Sequence, residues 1–190
     1  VNGVLDAVRA VDEAVVALER PATFDDALAA YPDRVHPEVE SVDATGLRAG
    51  YLEVADAVDA ARQALASARD VLDDEWEVRY LDAQDRVLLA VRDHARTADR
   101  LAQLLEQHWP TYVEVDARVT DFAARRGNYR DTQEATDALA VELDTVLDDL
   151  AVAEAQISEY RTRRTAAAQA VNDATADAVS VYEQRPTAGT

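Results

Sequence analysis

No Gly or Pro occurs from Tyr51 to Trp109 or from Asn128 to Arg185, two stretches of nearly 60 residues in a chain of 190. These residues are the strongest local punctuators of structure, so two uninterrupted runs of this length predict very long helices. A repeat written into both runs sharpens the expectation. Leu139, Leu143, Val146, Leu150, Ala153, Ile157, Tyr160, Arg164, Ala167, Val171, Ala174, Ala178 and Val181 follow strict 4-3 spacing, and only Arg164 among them is not apolar. In the first run Leu81, Gln84, Leu88, Val91, Ala95, Ala98, Ala102, Leu105 and Trp109 do the same, and Tyr51, Val54, Val58, Ala61, Leu65, Ala68 and Leu72 form a further seam upstream. Apolar residues at this spacing line one face of a helix and seek a partner helix. The two seams of the first run disagree in phase around Asp73 to Tyr80, which predicts a change of packing partner there.

The fold class that follows is all-α: a long antiparallel coiled-coil hairpin with an additional N-terminal helix, an elongated three-helix bundle. Residues 1–184 form a single domain. It comprises a helix over about 2–20, a loop with a short helix over 21–44, a long arm over about 46–126 and a return arm over about 129–184, with 185–190 as a flexible tail. The reversal falls at 127–128, where Gly127 can adopt positive φ and Asn128 tolerates it. Folding back there sets facing residues whose numbers total about 255, for example Ala98 with Ile157 and Leu105 with Leu150. Pro110 removes one helical hydrogen bond and kinks or breaks the long arm. The seam stays in phase across it through Leu105, Trp109 and Tyr112, which favours a continuing helix; the rival is a separate short helix from Thr111 to Arg126.

Charge limits the partners. The chain holds 38 acidic residues against 19 basic ones, a net charge of -19, and every basic residue is Arg. Binding to nucleic acid or anionic membrane requires a positive footprint that this composition lacks. The composition resembles that of proteins from salt-accumulating archaea, where screening relieves self-repulsion; GC-rich bacterial or phage genomes also favour Arg and Ala. No segment approaches the ~20 apolar residues of a membrane span. A cytoplasmic protein is expected, with a virus particle or an extracytoplasmic domain as alternatives. The first residue is Val, which fits a GUG start, a processed end or an excised domain.

Chemistry-bearing residues are few. There is no Cys, so disulfides and thiolate chemistry are ruled out. With five Gly, none arranged as a fingerprint, no phosphate-cradling loop can be read. His36, His94 and His108 lack the Glu-x-x-His spacing of helical di-metal sites. The cluster Asp73, Asp74, Glu75 and Glu77 and the pairs Asp25-Asp26 and Asp148-Asp149 read as solvated helical surface. No cofactor, metal or catalytic residue is assigned, and the chain reads as a non-enzyme.

Two surfaces stand out as interaction candidates. Arg125, Arg126, Tyr129 and Arg130 flank the hairpin tip and would present a positive patch with an aromatic, the residue types enriched at hot spots. Val54, Val58, Leu65 and Leu72 lie on a seam that the return arm cannot cover and that the first helix covers only in part, so a homo-oligomer is expected to bury it. In a second Arg cluster, Arg161, Arg163 and Arg164, the last occupies a seam position, facing Val91. The functional expectation is a structural or interaction protein, a rigid acidic scaffold or oligomerisation element that binds protein partners: a cytoskeletal, chromosome-associated or virion component. The alternative is a helical-bundle sensory or ligand-binding domain of a receptor.

Overall fold

The computed structural model describes residues 2–19, 45–126 and 133–186. Among these the chain forms four helices and no strand: α1 Asn2–Glu19, α2 Thr45–Arg69, α3 Glu75–Arg126 and α4 Gln133–Glu183. The fold is an all-α helical-hairpin bundle, as the two long seams predict.

The expected long arm over 46–126 is two helices, not one. The break spans Asp70 to Asp74 and contains neither Gly nor Pro. Three backbone bonds close α2, ending with the Leu72 N–H donating to the Arg69 carbonyl at 3.2 Å. The next helix then starts on a cap, with Asp74 Oδ1 accepting the Glu77 backbone N–H at 3.0 Å. Asp74 is the N-cap and Glu77 the third helical residue, the spacing of a capping box, and Glu75 and Glu77 place negative charge where the helix dipole favours it. The seam phases disagree at this point because the chain turns around there.

Three ion pairs show the direction of α2. Arg48 Nε lies 2.9 Å from Asp99, Arg62 Nε 2.7 Å from Asp85, and Arg69 Nη1 2.7 Å from Asp82. Rising numbers on α2 meet falling numbers on α3, so the two helices are antiparallel. Arg62 is held above its ordinary pKa first by its hydrogen bond to Asp85 and then by that carboxylate's charge.

Two cores result. At the base, Ala7, Val11 and Ala14 of α1 join Tyr51 to Ala68 of α2, Leu81 to Ala98 of α3 and Val171 and Ala178 of α4. The base is therefore a four-helix bundle, in which α1 lies mainly on α2 and also touches α3. Farther along, Leu101, Leu105, Trp109 and Tyr112 of α3 pack with Ala153 and Ile157 of α4 in a second core, where the hairpin forms an arm. At 52 residues, α3 runs through both, a length of about 78 Å. It passes through Pro110 without interruption. Trp109 and Tyr112, each 7% exposed, hold the seam on either side. The separate tip helix from Thr111 is not formed.

All seven residues of the Tyr51–Leu72 seam are covered within the single chain: Val54 and Val58 are 0% exposed, Leu65 is 4%, and Leu72 is half-buried. The expectation that this seam is left open for a second copy is corrected. It arose from treating 46–126 as one rod. Once α2 folds back on α3, both α1 and α3 fill its apolar face.

The α3–α4 register also differs from that expected. His108 meets Gln156 and Arg118 meets Glu142, while the Trp76 indole N–H donates to the Val181 carbonyl at 2.9 Å. Facing numbers here total about 260, several residues beyond the predicted value. Ile157 consequently shares its core with Leu105 and Trp109, whereas Ala98 belongs to the base. A heptad seam matches equally well after a slip of one repeat, so periodicity alone does not choose between registers. The predicted reversal at Gly127-Asn128 lies outside the described residues.

Candidate interaction surface

The structure separates the residues that the sequence groups at the tip. Arg125, on the last turn of α3, pairs with Asp121 one turn earlier at 3.2 Å. Its charge is thus partly answered on its own helix. The Arg126 side chain and all of Tyr129 and Arg130 lie outside the described residues.

The acidic cluster after α2 serves the start of α3, with Asp74 as the cap. Among the described residues no group of three or more His, Asp or Glu side chains is arranged to hold a metal ion. His108 Nε2 is 2.9 Å from Gln156 Oε1, a bridge across the arm. His94 lies elsewhere, half-buried beside Arg161 and Arg164 in a cavity of about 470 Å³ that Leu101 and Thr165 also line. Arg164 is therefore a half-buried seam residue beside His94 and not opposite Val91 as expected. His36 and the pair Asp25-Asp26 lie outside the described residues; Asp148 and Asp149 are exposed on α4.

Charge along α4 is strongly divided. From Gln133 to Tyr160 the helix carries no Arg, and from Tyr160 to Asn172 it carries no acid. The second stretch lies where arm meets base. There Arg96 and Arg100 of α3 and Arg163 of α4 border a groove of about 510 Å³ floored by Ala166, Ala167 and Ala170. The Arg163 guanidinium sits 4.9 Å over the Tyr160 ring, a distance at which a cation is attracted to the ring face. Arg residues of both helices thus border the root of an acidic arm, with part of their charge answered by Asp93 in the same groove and by Glu159, 2.5 Å from Arg163. The sequence shows the α4 half of this cluster; Arg96 and Arg100 join it only because of the register.

At the far end of the base, Trp76, Tyr80 and Tyr182 form an aromatic cluster. Trp76 stacks on Tyr80 with centroids 5.5 Å apart, Tyr182 tilts against Tyr80 at 5.7 Å, and the Arg185 guanidinium lies 5.7 Å from the Trp76 ring. Trp76 and Tyr80 are four positions apart on α3, a spacing that makes helical neighbours. Their meeting with Tyr182 depends on the long-range pairing of α3 with α4. Comparison with protein-family models, curated proteins and solved structures finds no match to this chain. No helix among the described residues is long and apolar enough to cross a membrane.

Proposed function

We propose that this chain is a non-catalytic helical scaffold: a four-helix base from which a two-helix arm projects to hold a protein partner at a fixed distance. One observation carries the reading. The single helix α3 spans Glu75–Arg126 and supplies residues to both cores. A helix anchored in a bundle at one end and paired at the other transmits position without a hinge. The division of charge along α4 supports an interaction role, since an acidic arm above an Arg-bearing segment gives a partner both orientation and electrostatic steering. The net charge of -19 fits work at high ionic strength, where the Debye length falls to about 3 Å and self-repulsion is screened.

The test uses the absence of native Cys, which makes labelling unambiguous. Spin labels at Asp56 on α2 and Asp121 on α3, both exposed, sit on base and arm. Asp56 lies level with the α3 segment near Val91, so the labels are separated by about 45 Å of helix rise. A single narrow distance distribution near that value is expected. A broad or two-peaked distribution would mean a hinged arm and would remove the spacer reading.

A further inference from the structure

We propose that the outward face of α4 pairs antiparallel with the same face of a second copy of this chain, so that the acidic stretch of each helix lies on the Arg-bearing stretch of the other. The inference rests on the scaffold reading, whose arm it supplies with a partner.

Three observations carry it. The first is an apolar stripe on the side of α4 that α3 does not cover. Val141 and Val152 are 67% and 57% exposed, and Ala155, Ala166 and Ala170 are exposed in line with them. At 3.6 residues per turn these five fall within about 60° of one another round the helix, opposite the seam that packs on α3. Small side chains along such a stripe let a second helix approach closely.

The second is charge, which sets the direction of pairing. From Asp137 to Glu159 α4 carries seven acids and no Arg, whereas from Tyr160 to Asn172 it carries three Arg and no acid. Two such helices set parallel and in register place like charge on like. Set antiparallel, each acidic stretch meets the Arg of the other, the complementarity that fixes orientation between partners.

The third is register. A crossing centred near Gln156 makes facing numbers total about 312 and is symmetric, so it closes with two copies. Arg163 then lies beside Asp148 and Asp149 of the second copy, all three exposed. Asp144 of the second copy falls level with the stretch beside Arg96 and Arg100, and its Val141 reaches Ala170 on the floor of the groove that those Arg border. Contacts within one chain compete weakly. Glu159 lies 2.5 Å from Arg163, but the two side chains are 54% and 57% exposed, and exposed pairs contribute little. Asp93 is one acid against three Arg in the groove.

The test is sedimentation equilibrium of the full chain at ~1 M salt, where a Debye length of about 3 Å screens long-range repulsion between two acidic molecules more than contact pairs. A dimer of twice 20.8 kDa is expected, with Kd in the micromolar range. Val152→Glu, in the middle of the stripe, should weaken association at least tenfold. Asp149→Arg and Arg163→Glu should each weaken it at least fivefold. The double variant exchanges the charges across the interface and should return to within twofold of the native chain. Circular dichroism checks that helicity is kept, and Val141→Glu carries the comparison if the Val152 variant loses it. A native chain that stays monomeric at millimolar concentration would overturn the proposal, as would a dimer that the folded single variants leave unchanged. So would a double variant no tighter than either single one. Association is read from mass, while arm rigidity is read from label distances within one chain diluted with unlabelled copies, so the two readings fail separately.

Discussion

Arg62 meets Asp85 at 2.7 Å although 23 residues separate them, and in a continuous helix they would stand about 35 Å apart. This contact places α2 back along α3 and converts a rod into a bundle. Its role is in register more than in energy. Both side chains are more than a third exposed, and pairs of this kind contribute about 0–1 kcal/mol. Asp85→Asn should change unfolding free energy by less than about 1 kcal/mol. Leu88→Ala, at a site that is 0% exposed, should cost about 2–5 kcal/mol. Chemical denaturation of the two variants checks the contrast, and equal losses would contradict it.

The cap at the break is a second point of leverage. Asp74→Ala removes the acceptor for the Glu77 N–H and should cost about 1 kcal/mol, a fall in Tm of roughly 2–4 °C for a chain of this size. Asp73→Ala, at an exposed neighbour for which no capping contact is seen, should leave Tm nearly unchanged. Thermal melts of the pair report the difference.

Helix content, seam positions and the all-α class were legible from spacing alone. Every one of the thirteen α4 seam residues is buried or half-buried, as are the nine from Leu81 to Trp109 and the seven from Tyr51 to Leu72. The break was harder to read because Asp70 to Asp74 carries no Gly or Pro. Its signals were the phase slip and the Asp74-x-x-Glu77 box, and the slip was read only as a change of partner. Register was not legible, since sliding one heptad preserves every apolar match and the choice falls to polar ties such as His108 with Gln156. The aromatic cluster was hidden for the same reason: Trp76 and Tyr80 meet Tyr182 only in the true register.

Salt should govern folding. The charge of -19 is spread over thin helices whose acids cannot separate. Raising salt from ~0.1 M to ~3 M, which shrinks the Debye length from about 10 Å to less than about 3 Å, should raise Tm by tens of degrees. Equal melting temperatures would show that self-repulsion is not a large term.

Alkaline pH should loosen the arm. Burial raises the Tyr112 pKa above its ordinary value, the nearby Glu154 carboxylate adds to the shift, and Arg161 opposes it. A raised folded-state pKa means that the folded chain holds the phenolic proton more tightly than the unfolded one. The associated stability is therefore fully present below about pH 10 and is lost as pH rises through the folded value. Tyr112→Phe should flatten that decline. Denaturation midpoints measured from pH 9 upward, in native and variant chains, test it.

The most direct test of the architecture asks whether α2 and α3 lie side by side. Asp59 and Arg86 are exposed, so nitroxide labels can replace them without touching either core. The folded-back arrangement predicts strong dipolar broadening, with the labels within about 20 Å of each other. A single helix through Asp70–Asp74 would hold them about 40 Å apart, and an unbroadened spectrum would contradict the four-helix base.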